Sequence, residues 1–372
     1  MPVLDTFLQQ KLMLLESAKR RRVLHMNERA DGVVVMRGGK RLISFACNDY
    51  LGLSSHPKLV GSATEALTKY GAGAGASRLI TGNFPLYEEL ETLLAGVKAC
   101  EAACVFGSGY LANIGIIPAL VGAGDLIIAD KLSHACMLDG ARLSGASVMR
   151  FAHNNVEHLR MLLEANRKEY QNCLIMTETV FSMDGDLAPL KVLAALAKEF
   201  DAWLMTDDAH GLGIMKNNPA DIQMGTLSKA VGSYGGYVCG SQTLIDYIKN
   251  SARSLIYSTA LPPATIAASI AALRIIKEEP ERVAKPLENA RVFTSLLGLE
   301  PATSAIVPVI IKDNNKTLQA AALLEEKGFL VGAIRPPTVP ENTARLRIAF
   351  SALHEQIHIE QLAEMIKQEG WA

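Results

Sequence analysis

Lys229, Asp207, His210 and His134 are residue types that handle carbonyl carbons and protons, and each stands just beyond a short apolar run. A lysine in a cleft with few competing charges forms Schiff bases, because desolvation lowers its pKa and frees the amine. Lys229 has small, polar or apolar neighbours in Thr226-Leu227-Ser228-Lys229 and precedes the glycine-rich stretch 232–236. A carboxylate such as Asp207, held against a pyridine nitrogen, keeps that nitrogen protonated and makes the ring an electron sink. His210, three residues on, and His134 supply neutral ring donors or a stacking face. Together these groups are what a pyridoxal phosphate site requires.

Gly107-Ser108-Gly109 after the apolar run 104–106 offers an anion the backbone N–H groups of a strand-to-helix turn. Its continuation to Ala112 also fits the dinucleotide pattern G-x-G-x-x-A, which leaves a nicotinamide-dependent oxidoreductase open as a different class of enzyme. That alternative lacks an acid at a strand end about twenty residues on, and it has no use for Lys229 or for Asp207-x-x-His210. No G-x-S-x-G elbow is present, so the serine-hydrolase class has no support.

Elements that place such residues can be read from the apolar pattern. Runs at 104–106, 126–129, 148–151, 174–177, 203–206 and 237–239 predict strands, and periodic stretches at 113–121, 156–165 and 190–200 predict helices between them. Near-continuous apolar strands alternating with helices imply an α/β fold with a mostly parallel sheet covered on both faces. Ligands of such sheets bind at the carboxyl ends of the strands, which is where the polar residues above fall. An amphipathic N-terminal helix and a hairpin around Gly38-Gly39 make a first segment, 1–45. The cofactor-binding domain is expected over 46–278. The polar break at Glu278-Glu279-Pro280 opens a smaller α+β C-terminal domain, 279–372, with strands at 305–311 and 345–351 and a helix at 317–327.

Composition narrows the partners. The 372 residues are 49% hydrophobic and 20% charged, with a net charge of -1, which supports a large core and argues against a broad nucleic-acid surface. The uncharged run 102–124 is long enough to span a bilayer, yet its glycines, Asn113 and Pro118 divide it into strand, turn and helix; 254–273, with Pro262-Pro263, reads the same way. No membrane segment or secretory signal is expected, and the cytoplasm is the expected compartment. Six cysteines in a chain of this length are expected to be free thiols, with Cys47, Cys104, Cys173 and Cys239 as small core residues and no metal site. The basic run Lys19-Arg20-Arg21-Arg22 is either a solvated helix end or a local electrostatic handle for an acidic partner.

The motifs Asn48-Asp49-Tyr50-Leu51-Gly52-Leu53, Gly75-Ala76-Ser77-Arg78, Ser133-His134-Ala135, Phe181-Ser182-Met183-Asp184-Gly185-Asp186, Asp207-Asp208-Ala209-His210-Gly211, Thr226-Leu227-Ser228-Lys229 and Tyr257-Ser258-Thr259 resemble the pyridoxal-phosphate α-oxoamine synthases over almost the whole chain. The resemblance implies a fold-type-I transferase and a homodimer. It implies that Lys229 carries the cofactor and moves protons at the substrate α-carbon, that Asp207 pairs with the ring nitrogen, that His210 bonds the ring hydroxyl and that His134 stacks on the ring. Ser108, Gly109, Tyr110, Ser182 and Thr226 would line the cofactor, and Thr259 would reach its phosphate from a second subunit. Arg335 would bind the amino-acid carboxylate, with Arg20, Asn48, His134 and Thr338 also touching substrate. Within the family, Ile334-Arg335-Pro336-Pro337-Thr338-Val339-Pro340 is similar to the branch that condenses L-alanine with a pimeloyl thioester of coenzyme A or acyl carrier protein. The alternative inside the family uses glycine with a shorter acyl-CoA. The chain departs from the resemblance at Phe84, where many relatives carry histidine, and in the short stretch between Gly213 and Gly225.

Overall fold

The computed structural model describes residues 3–371 except 19 and 214–216. Lys19 of the basic run and part of the short 213–225 stretch therefore lie outside the described residues. Helix α1 (Val3–Ser17) precedes strands β1 (Glu28–Arg29), β2 (Val34–Arg37) and β3 (Lys40–Ser44). Helices α2 (Pro57–Tyr70) and α3 (Pro85–Lys98) lead into the alternating region. There, β4 (Ala102–Phe106), α4 (Gly109–Leu120), β5 (Leu126–Asp130), α5 (Ala135–Ser144), β6 (Ser147–Phe151), α6 (Val156–Asn166), β7 (Cys173–Glu178), α7 (Leu190–Glu199), β8 (Trp203–Asp207), β9 (Ile222–Thr226) and β10 (Gly236–Gly240) follow one another.

These seven strands form one sheet in the order β4-β10-β9-β8-β7-β5-β6. Pairing is parallel from β6 through β9, and β10 runs antiparallel to both β9 and β4. Six strands thus share one direction and bring their carboxyl ends to a single edge. Alternate residues of each strand enter opposite layers, as period-2 geometry dictates. Ile127, Ala129, Leu174 and Met176 pack with Ile116 and Ile117 of α4 and Met137 of α5, whereas Leu126, Ile128, Cys173 and Ile175 pack with Leu159 of α6 and Leu193 of α7. Full burial of such side chains contributes about 1.5–3 kcal/mol each, which makes the sheet a rigid platform for its edge.

The run 102–124 resolves into β4, a turn and α4, and among the described residues no helix is long and apolar enough to cross a membrane. Strand β9 has no counterpart among the sequence expectations. Gln223 and Gly225 interrupt its apolar pattern, and both are there for local reasons: Gln223 bonds the Asn218 carbonyl, and a side chain on Gly225 would run into the Tyr237 ring. One cysteine is also corrected. Cys104, Cys173 and Cys239 are buried as expected, but Cys47 is exposed, because it lies in the loop leaving β3 rather than in a strand; Cys136 is a further buried thiol.

Beyond residue 278 the chain forms β11 (Ile306–Lys312), β12 (Phe329–Leu330), β13 (Gly332–Ile334) and β14 (Ala344–Ala349). Strands β11, β14 and β13 make a three-stranded antiparallel sheet, while β12 joins the hairpin sheet beside β3. Strand β14 divides its side chains cleanly: Leu346 and Ile348 enter a core with Phe45, Phe293 and Phe350, and Arg345 and Arg347, two apart, face the large sheet.

Candidate active site

Every parallel strand end at the common edge delivers a polar group. At the end of β8, Asp207 Oδ1 accepts from the Ala209 N–H (2.9 Å) and Oδ2 from Asn113 Nδ2 (2.9 Å), which fixes the carboxylate in a 5%-exposed position. His210 sits on the following turn with Nδ1 2.6 Å from Tyr50 Oη and Nε2 2.7 Å from Lys229 Nζ. Burial pushes the Tyr50 phenol up to about 12, so it keeps its proton. Burial pulls His210 well down, with Lys229 and Arg347 adding to the effect, and the ring is neutral. Burial also lowers Lys229, against the opposing pull of Asp207 and Glu178. The result is an amine poised toward its neutral, nucleophilic form.

The turn after β4 closes the floor. Ser108 caps α4, its hydroxyl accepting from the Leu111 N–H at 3.1 Å. A Cβ on Gly236 would collide with the Ser108 carbonyl and the Gly109 nitrogen, so the backbone at 108–109 lies directly against β10. A Cβ on Gly109 would stand 3.4 Å from that of Thr226, whose hydroxyl accepts from the Ser228 N–H at 3.2 Å. The first turn of α4 therefore forms an anion-accepting corner beside Thr226 and Ser228, whose hydroxyls donate to the Gly235 carbonyl at 2.8 and 3.4 Å. Tyr110 is 47% exposed, and its hydroxyl donates to Asp139 Oδ2 at 2.6 Å.

His134 caps α5 after β5 and lines a cleft of about 580 Å³ with Ser182, Pro337 and Thr338. A neighbouring cleft of about 420 Å³ is lined by Arg20, Arg22, Arg335, Pro337 and Thr338, so Thr338 borders both. Asn48 accepts from Tyr50 Oη at 3.1 Å. Thr259 stands apart. It is exposed and bridged by backbone to Ser77, beside Gly107 and Arg78 rather than against Lys229. Phe84 begins α3 and packs on Tyr70, with ring centroids 5.3 Å apart.

Three members of the site are given no role by the sequence, Arg347, Asn113 and Cys136, while Glu178 stands where a polar residue past a strand end is expected. Arg347 is 6% exposed, and donates from Nε to the Ser182 carbonyl (2.6 Å) and from Nη2 to Tyr50 Oη (3.3 Å). Its neighbour Arg345 pairs with Asp184. Glu178 is 3% exposed, and burial followed by the nearby Asp207 charge raises its carboxyl well above the usual range. The sequence signal for the arginines was a charged pair at strand spacing between apolar residues.

The turn carrying Ser182 is held from behind by His153. Its Nδ1 lies 3.1 Å from Asp130 Oδ1, its Nε2 lies 2.8 Å from Asp186 Oδ2, and its edge meets the Phe181 ring. Burial opposes the charged ring, but the two carboxylates outweigh it and push His153 up to about 10. Since the folded-state pKa exceeds the ordinary 6.5, the stabilisation is complete below that value and is lost as pH rises through about 10. We predict that His153→Gln destabilises the protein by about 1–2 kcal/mol at pH 6 and by clearly less at pH 10. Chemical unfolding at both pH values checks this, and a pH-independent deficit would contradict it.

Pyridoxal phosphate fits this arrangement. A carboxylate for the ring nitrogen, a lysine of lowered pKa and a helix N-terminus for the phosphate converge at one edge. Among the described residues, Glu178 Oε1, Ser133 Oγ and Asn113 Oδ1 are buried polar atoms without a protein partner around the same space. The nicotinamide alternative leaves Lys229, His210 and Asp207 unexplained.

Residues 40–366 match the family model of aminotransferase class I and II. A protein of Methylobacterium nodulans named 8-amino-7-oxononanoate synthase is 54% identical over 372 residues, covering 100% of this chain and 98% of its own. One of the same name from Methylorubrum extorquens is 55% identical over 364 residues, covering 98% and 95%. Among solved structures, serine palmitoyltransferase from S. paucimobilis with a bound PLP-myriocin aldimine superposes with a TM-score of 0.92 at 30% identity, over 100% of this chain and 98% of that one. The 8-amino-7-oxononanoate synthase of Francisella tularensis gives 0.75 at 28% identity, over 88% and 97%.

Proposed function

The chain belongs to the aminotransferase class I and II family, among its pyridoxal-phosphate α-oxoamine synthases, and we propose that it condenses L-alanine with a pimeloyl thioester to give 8-amino-7-oxononanoate, carbon dioxide and free thiol, a step of biotin biosynthesis. The observation that carries this reading is the meeting of Lys229, His210 and Asp207 at one sheet edge, in a chain 54% identical over its whole length to proteins named for that product.

When bound, pyridoxal phosphate supplies an electron sink for the bonding pair left at the α-carbon. The protein's own groups do the rest. Asp207 would keep the ring nitrogen protonated, and His210, backed by Tyr50, would bond the ring hydroxyl. The first turn of α4, with Ser108, Gly109 and Thr226, receives the phosphate. Lys229 holds the cofactor between turnovers, takes the α-proton of alanine and returns a proton after carbon dioxide leaves. His134 and Ser182, which line one cleft, would bear on the ring face and orient the substrate.

For the amino-acid carboxylate the sequence pointed to Arg335. We favour Arg347, since it is buried beside Tyr50, Ser182 and Lys229, while Arg335 lines the outer cleft with Arg20 and Arg22. In this assignment Arg335, Arg20 and Thr338, which line that cleft, serve the acyl thioester, and Asn48, on Tyr50 Oη, stays beside the inner site. Loss of a charged hydrogen bond of about 1.5–3 kcal/mol predicts that Arg347→Gln raises KM for alanine roughly 10- to 100-fold. Arg335→Gln should act mainly on the thioester. The reverse pattern in steady-state kinetics would restore Arg335 to the carboxylate.

The active unit in this proposal is a cytoplasmic homodimer. Exposed Phe7, Leu8 and Leu12 of α1, with Leu79, Ile80 and Tyr257, offer apolar surface to a second copy, and Thr259 would then reach the partner's cofactor phosphate. The six unpaired thiols suit a reducing compartment. The division into 1–45, 46–278 and 279–372 is likewise proposed; Phe45 shares its core with the last of these.

A substrate panel tests the function: alanine, glycine and serine against acyl thioesters of several lengths on coenzyme A and on acyl carrier protein, following thiol release. The fastest turnover should come from alanine with a pimeloyl thioester. Fastest turnover with glycine and a short acyl-CoA would replace the proposed reaction with that of the glycine-using branch.

A further inference from the structure

A chain of polar contacts joins the two faces of the proposed cofactor site from behind. Asp207 Oδ2 is 2.9 Å from Asn113 Nδ2, Asn113 Nδ2 is 3.0 Å from Cys136 Sγ, and Cys136 Sγ is 2.8 Å from His134 Nδ1. Asn113 is fully buried and Cys136 is 3% exposed.

The direction of each bond follows from what each group can donate. The Asp207 carboxylate only accepts, so the Asn113 atom facing it is the amide nitrogen, with two hydrogens. One goes to Asp207 and the other to the sulfur of Cys136. Because that sulfur accepts from Asn113, its own hydrogen is left for His134. Burial, with Asp207 adding to it, pushes the Cys136 thiol up to about 12, so this hydrogen stays in place at neutral pH. His134 Nδ1 also receives the Cys136 backbone N–H at 3.3 Å, as the cap of α5. With two donors aimed at it, Nδ1 is the unprotonated nitrogen, and the ring hydrogen of neutral His134 is on Nε2.

We propose that Cys136 is a positioning residue: through its thiol it fixes His134 as the Nε2–H tautomer over the cofactor ring, and through Asn113 it ties that ring face to the carboxylate at the ring nitrogen. The inference rests on the pyridoxal phosphate reading. The consequence is specific to side-chain chemistry at position 136. Serine keeps an acceptor and a donor there, whereas alanine keeps the helix and removes both.

The test is the ring ¹⁵N spectrum of the histidine-labelled, cofactor-loaded enzyme, with the His134 signals assigned by their loss in His134→Gln. Wild type and Cys136→Ser should show an unprotonated Nδ1 and a protonated Nε2. Cys136→Ala should move both signals toward the tautomer average, shift the visible absorbance of the bound cofactor and lower kcat/KM about tenfold, the loss of roughly 1.4 kcal/mol. Cys136→Ser should stay within about threefold, at most roughly half of that energy. A protonated Nδ1 in the wild type, or an unchanged ring spectrum in Cys136→Ala, would overturn the proposal. Wild-type protein that takes up no pyridoxal phosphate would instead overturn the reading beneath it, which keeps the two failures distinguishable.

Discussion

Lys229→Ala should lower thiol-forming turnover by at least about 10³-fold, the joint loss of covalent cofactor attachment and of the proton carrier at the substrate α-carbon. The effect is confined to chemistry. Lys229 is hydrogen-bonded to His210 Nε2 at 2.7 Å and belongs to none of the hydrophobic clusters, and its neighbours Leu227, Ala230 and Val231, which do, are untouched by the change, so the variant should fold and unfold like the parent. Lys229→Arg should be no better, because a guanidinium keeps the charge but neither gives up its proton nor forms a Schiff base. Rapid-quench measurement of the first turnover separates this from slow product release. A Lys229→Ala rate within tenfold of the parent would remove the lysine from the mechanism.

Asp207→Asn should cost roughly two to four orders of magnitude in kcat, as expected when a charge partner worth about 3–5 kcal/mol is removed from a buried site. The surroundings leave an amide no good orientation. Oδ1 of Asp207 accepts from the Ala209 N–H and Oδ2 from Asn113 Nδ2, so the amide NH₂ must point at one donor or the other. The variant also loses the negative charge that keeps a pyridine nitrogen protonated. Exchange of the alanine α-hydrogen with solvent isolates this step from acyl transfer, and it should fall in parallel with turnover. Asp207→Glu retains the charge and should recover part of the rate. An Asp207→Asn exchange rate within tenfold of the parent would show that the ring nitrogen is not held by this carboxylate.

The platform was legible because buried parallel strands are nearly continuous in apolar residues, and a polar residue just past such a run stands out. Lys229, Asp207, His210, His134 and Ser108 were visible for that reason, and the structure gathers them at one edge. Strand β9 was hidden by Gln223 and Gly225, whose types answer to Asn218 and Tyr237 rather than to any strand pattern. Arg347 was hidden differently. It belongs to a separate sheet, and only the packing of β14, with Leu346 and Ile348 turned into their own core, directs Arg345 and Arg347 across to the 182–184 turn. Asn113, in an otherwise apolar helix, carried a signal in retrospect, because a polar residue on a fully buried face needs a buried partner. Its partners, Asp207 and Cys136, are 94 and 23 residues away, a proximity that the fold creates and local pattern does not encode.

The most direct measurement of the central claim is borohydride reduction of the purified, cofactor-loaded protein, followed by proteolysis and mass spectrometry of the peptides. A single stable adduct of reduced pyridoxal phosphate is expected on the peptide containing Lys229, with loss of the visible absorbance on reduction. An adduct on another lysine, such as Lys98 or Lys131, or a protein that takes up the cofactor and yields no adduct, would contradict it.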